Sequence, residues 1–153
     1  MNLKLLMSLV LGTIFCFYSN TFAQNCAYRI VSYEIGNDKN TAVVKLDIEV
    51  KNKKLLEQES TNTVLGIIMF EGLPGTKFSK PLLSEGANTM QSEFPEYFNS
   101  LYNERGKDFV TNFKMLSDFK KGPNKMTQIE ITVKVMQLRK NLEKNKLIKH
   151  IGL

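Results

Sequence analysis

Histidine occurs once in this chain, cysteine twice and tryptophan not at all. The one imidazole, His150, stands near the C-terminal end of the sequence, where chains fray, and no second histidine accompanies it to build a zinc site. Of the two thiols, Cys16 lies inside an apolar leader, which leaves Cys26 alone in the working chain and excludes an internal disulfide. A lone exported cysteine reads as a buried thiol or as half of an intermolecular bridge. A Cys-His nucleophile pair would require Cys26 and His150 to meet from the two ends of the domain.

Other absences narrow the field further. No repeat at a fixed period, no low-complexity tract and no long Pro/Gly/Ser linker interrupts the sequence, so it reads as one continuously folded unit. The run Gly72-Leu73-Pro74-Gly75-Thr76-Lys77 has glycines and a lysine but lacks the spacing of a phosphate-binding loop, and reads as a turn. Carboxylates occur as Glu57/Glu59, Glu93/Glu96 and Asp47/Glu49. Paired acids can serve glycoside hydrolysis, yet alternation in a solvent-facing strand puts Asp47 and Glu49 on one face without any function. No catalytic residue, metal ligand or cofactor is predicted.

What is present begins with the leader. Lys4 precedes a nearly unbroken apolar run over 5–17, which is the charged region and hydrophobic stretch of a secretory signal. A membrane-spanning helix needs roughly 20 apolar residues. This run gives way sooner, to Tyr18-Ser19-Asn20, so no retained transmembrane helix is expected. Small side chains in Thr21-Phe22-Ala23 place the cut between Ala23 and Gln24. Residues 1–23 are read as a signal peptide and 24–153 as a single domain, exported to the periplasm or the cell exterior. A lipid anchor at Cys26 is not expected, because Asn25 occupies the position where a lipoprotein carries a small residue.

The whole chain carries a net charge of +6, which becomes +5 once Lys4 leaves with the leader. The basic residues cluster at Lys120-Lys121 and in the series Arg139, Lys140, Lys144, Lys146 and Lys149. Nucleic-acid binding would want a basic stripe interleaved with aromatics, so these residues read as a solvated helix face and no nucleic-acid partner is predicted. A polyanionic envelope surface would still attract them.

Periodicity supplies the fold. Over 28–35, Val31, Tyr33 and Ile35 alternate with Ser32 and Glu34, and after the turn residues of 36–40, Val44, Leu46, Ile48 and Val50 alternate with Lys45, Asp47 and Glu49. This is a hairpin. Over 53–69, Leu55, Leu56, Val64, Leu65, Ile68 and Met69 fall near helical spacing, and Gly72-Leu73-Pro74-Gly75 ends the run. The stretch 76–90 shows no period and reads as a surface loop. Phe94, Tyr97, Phe98, Leu101 and Tyr102 mark one face of a short helix that opens near Pro95 and stops at Gly106. Residues 108–119 read as a strand, and Ile129, Ile131, Val133 and Val135 complete a second hairpin across the turn at 121–124. A helix over 138–148, with Leu138 and Leu142 one turn apart, closes the chain. The expected class is α+β: a two-layer sandwich in the order β-β-α-α-β-β-α, with an antiparallel sheet from two hairpins covered by two or three helices. Strand order in that sheet is not set by periodicity.

A binding module is expected to show an apolar or edge-strand contact surface and no deep polar pocket, and the aromatic stripe is the candidate whose residues can be named. As core it covers the sheet; partly open, Met69, Phe70, Met90, Phe94, Tyr97, Phe98, Leu101 and Tyr102 would line an apolar groove for a peptide or lipid-like ligand.

A hairpin, then a helix ending at Phe70-Glu71-Gly72, then a second hairpin resembles the small exported domains of Gram-negative envelope proteins, and the order is similar to that of domains in outer-membrane assembly lipoproteins. The resemblance implies a non-catalytic binding or assembly module of the cell envelope, whose partner is an envelope protein of unknown identity or a second copy of itself. A carrier of a small apolar ligand and a hydrolase are the alternatives. They require, in turn, an enclosed cavity beside the aromatic helix and convergent acids or a Cys-His pair in a cleft.

Overall fold

Val44, Leu46 and Ile48 on one strand and Ile129, Ile131 and Val133 on another turn their side chains the same way, and all six are fully buried. Burying each contributes about 1.5–3 kcal/mol, so the two strands that carry them belong at the centre of a sheet. In the computed structural model, which describes residues 26–149, they do lie there. The signal peptide predicted over 1–23 and His150 lie outside the described residues.

The strands are β1 (Tyr28–Ile35), β2 (Ala42–Ile48), β3 (Val110–Met115) and β4 (Thr127–Val133). They form one four-stranded antiparallel sheet in the order β1-β2-β4-β3, so both predicted hairpins exist and are joined through β2 and β4. Between the hairpins run α1 (Leu56–Phe70), entered through a 3₁₀ turn at Lys53–Leu55, then α2 (Ala87–Glu93) and α3 (Pro95–Ser100). The last helix, α4 (Val135–Lys144), follows β4 directly. The fold is α+β, as the alternation predicts. No helix among the described residues is long and apolar enough to cross a membrane.

Several boundaries differ from the sequence reading, each for a local reason. The predicted loop over 76–90 ends early, because Ala87 and Met90 bury themselves in a short helix. Its remainder is tied down as well: Leu73, Phe78 and Leu83 are buried, and the N–H groups of Leu82 and Leu83 donate to the carbonyls of Ile68 and Met69 at 3.4 and 2.9 Å. These bonds serve the last carbonyls of α1, which have no partner within the helix. Gly72 makes the exit possible. It has φ +78°, and a Cβ there would lie 2.5 Å from the carbonyl oxygen of Ser79.

The aromatic helix is broken into pieces. Past Ser100 the chain widens into one π turn, Leu101–Arg105, and tightens into a 3₁₀ turn, Gly106–Phe109, before β3 begins. The strand predicted over 108–119 is therefore shorter at both ends. Val135 opens α4 instead of closing β4, and Val50 is buried beyond the end of β2.

The most consequential difference is in β1. Its pairing with β2 shifts register between Ile30 and Ser32, a bulge in which Val31 is the extra residue. Val31 is thereby 47% exposed, and it is Ile30 that joins Tyr28, Tyr33 and Ile35 against the core.

Candidate functional site

The eight residues of the predicted groove come together, but most of them as filling. Met69, Leu101, Phe98, Met90 and Tyr102 are buried members of the main core, while Phe70, Phe94 and Tyr97 are partly buried against it. Phe98 is the hub. It stacks on Phe70 with ring centroids 6.0 Å apart, meets Tyr97 edge-on at 5.3 Å and lies 5.9 Å from Tyr102. The Tyr97 hydroxyl donates to Asn141 Oδ1 on α4 at 2.9 Å, which fastens α3 to α4. Burial pushes the Tyr97 hydroxyl up to about 12 and raises that of Tyr102 as well, so both rings stay neutral.

Among the described residues the helices pack on the core face of the sheet, and the opposite face is polar. It presents cross-strand rows of polar side chains, the sheet counterpart of helix surface pairs. In one row Arg29, Asp47 and Gln128 lie side by side on β1, β2 and β4. Arg29 Nη2 pairs with Asp47 Oδ2, and Gln128 Nε2 donates to Asp47 Oδ1 at 3.1 Å. In the next row Lys45 pairs with Glu130 at 3.3 Å, and Lys114 stands opposite Glu130 on the other side.

The connection over 116–126 folds back over this end of the sheet. Its anchors are Asn124 N–H to Glu49 Oε2 at 3.1 Å, Lys120 N–H to Thr127 Oγ1 at 3.0 Å and Gln128 N–H to Ser117 Oγ at 3.0 Å. Between connection and sheet lies an open polar cleft of about 400 Å³, reached by Arg29, Asp47, Lys120, Asn124 and Met126. Asp47 is its one carboxylate, and two donors already hold that group. Glu49 shares the face, as alternation predicts, but is engaged by the Asn124 backbone. Of the other acid pairs, Glu57, Glu93 and Glu96 are exposed, and Glu59 accepts from the Cys26 thiol at 2.8 Å. Burial and that bond to Glu59 push the thiol up to about 12. A thiol so placed is protonated at neutral pH and is a poor nucleophile. Among the described residues no group of His, Cys, Asp and Glu could hold a metal ion.

The third feature is the sheet's edge. β1 is an outermost strand whose apolar side chains Tyr28, Ile30, Tyr33 and Ile35 are only partly covered. Val31 is its most exposed residue of that kind, and among the described residues no strand lies on its outer side. Sequence reasoning expects an apolar or edge-strand contact surface of a binding module but cannot say which strand carries it, because that depends on strand order and on the bulge.

No protein-family model matches the chain, and no curated protein or solved structure is similar to it at a significant level.

Proposed function

We propose that this chain is a non-catalytic binding or assembly module of the cell envelope that takes an extended partner segment along β1. The observation that carries the reading is the strand edge, with no strand beside it among the described residues and partly exposed Tyr28, Ile30, Val31, Tyr33 and Ile35 along its length. An edge of this kind recruits a partner by strand addition, in which backbone hydrogen bonds supply affinity and alternate side chains supply selectivity. The rival carrier reading is less well served, since Met69, Met90, Phe98, Leu101 and Tyr102 are packed as core.

A photo-crosslinking side chain placed at Val31 in exporting cells tests this, with the same group at exposed Gln137 on α4 as the control. The expected result is a discrete protein adduct from position 31 alone. No adduct from position 31, or the same adducts from both sites, contradicts the proposal.

A further inference from the structure

The bonds at the two ends of β1 reveal which of its backbone groups point outward. The Glu49 N–H donates to the Ala27 carbonyl at 2.8 Å, and the Gly36 N–H to the Thr41 carbonyl at 3.0 Å. In an antiparallel ladder such bonds join directly opposed residues, and successive residues alternate between facing the neighbour and facing away. Counted inward from each end, Arg29 and Glu34 face β2, while Tyr28, Ile30, Tyr33 and Ile35 turn their N–H and C=O groups outward. The bulge at Val31 absorbs the difference between the two counts. The outward groups therefore stand two residues apart, then three, then two.

A regular strand offers its groups every second residue, so it falls out of step with this edge at the bulge. That is one way a bulge guards an exposed edge against indiscriminate pairing. The guard has one gap: a second copy of β1 running antiparallel carries the same three-residue step in the same place.

We propose that two copies of this chain pair antiparallel through β1, about a twofold axis passing between Val31 and Ser32. The inference rests on the edge-binding reading and names its partner. In this register Tyr28 lies opposite the partner's Ile35 and Ile30 opposite the partner's Tyr33, so every outward backbone group meets another. The side chains agree. Those four residues pack on the helix-covered face, giving aromatic–aliphatic cross-strand pairs. Arg29 and the partner's Glu34 meet on the open face at a non-hydrogen-bonded position, where opposed side chains come closest. Glu34 is exposed, and the Arg29 side chain, although its Nη2 pairs with Asp47, is 74% exposed and keeps further guanidinium donors for the partner's carboxylate. Val31 falls beside the axis and is covered by its own counterpart. The other edge, β3, offers no such match, because Asn112 and Lys114 on its open face supply no acid to meet the lysine. An interface of one strand edge lies below the roughly 1,200 Å² of a standard complex, so a weak, concentration-dependent dimer is expected.

Sedimentation equilibrium of the exported chain over a micromolar to high-micromolar range tests the pairing. Wild type is expected to pass from monomer to dimer, and Val31→Lys and Glu34→Lys are each expected to weaken the dimer at least tenfold. Both sites are exposed, and an unchanged circular-dichroism spectrum confirms that each variant folds. A chain that stays monomeric overturns the proposal, as does a dimer indifferent to both substitutions, or growth beyond dimers by β1 adding to β3. The crosslinking experiment separates the two levels. A monomeric wild type with a foreign protein captured at position 31 sinks self-pairing and leaves the edge reading standing. No capture from that position sinks both.

Discussion

Asn62, in the middle of α1, donates its side-chain amide to the backbone carbonyl of Tyr102 at 2.9 Å, across a separation of 40 residues. Gln58, one turn earlier, reaches the same oxygen at 3.2 Å. The acceptor belongs to the π turn that follows α3, so α1 holds that irregular segment in place through side chains. Gly106 allows the approach, since a Cβ there would sit 3.3 Å from Asn62 Oδ1 and 3.1 Å from the Leu101 carbonyl oxygen.

Replacing Asn62 by Leu keeps the bulk and removes the donor. Asn62 is 4% exposed, so the Tyr102 carbonyl would depend on Gln58 alone, and urea unfolding is expected to show a loss of about 1–3 kcal/mol. An unchanged unfolding midpoint would show that this bond does not secure the π turn.

Phe98 separates core from groove. It is 3% exposed and touches three other rings, so Phe98→Ala is expected to cost about 3–5 kcal/mol in denaturant unfolding. Lys140→Ala, at an exposed position of α4, is expected to stay within about 0.5 kcal/mol. A Phe98 variant as stable as wild type would return the aromatic helix to the role of an open surface.

The Cys26 thiol gives a readout of pH. Its folded value near 12 lies above its ordinary value of 9.0, through burial first and the bond to Glu59 second. Alkylation at mildly alkaline pH is therefore expected to be at least tenfold slower in the folded chain than in urea, and Glu59→Gln is expected to speed it. The linkage has a definite sign. A group whose folded value is raised contributes stability that is complete below its unfolded value and is lost as pH climbs through the folded one. Tyr28 and Tyr97, also pushed up to about 12 from 10.0, act in the same direction. The urea midpoint is expected to fall between pH 9 and 12, and a flat profile there would contradict the placement of these groups.

How far the sequence carries depends on where a strand sits. β2 and β4 are central, and every second residue of each is fully or nearly fully buried, so their alternation is legible residue by residue. β1 is an edge, where exposure blurs the pattern. Val31 looks equivalent to Tyr33 and Ile35 in the sequence, and only the register shift beside Ile30 moves it out of the core. The row of Arg29, Asp47 and Gln128 was hidden for another reason, since these residues become neighbours only once β4 is known to lie beside β2. The aromatic stripe is legible as a helix face, but the π turn at its C-terminal end, which takes in Leu101 and Tyr102, goes with the carbonyl that Asn62 and Gln58 bind, which no periodicity announces.

Amide hydrogen exchange, followed residue by residue as protein concentration is raised, reads the β1 edge most directly. The account predicts that Tyr28, Ile30, Tyr33 and Ile35 exchange fast in dilute solution and become protected together on concentration, while the edge amides of β3 stay unprotected. Rates at those four positions that ignore concentration, or protection that appears equally on β3, would contradict it.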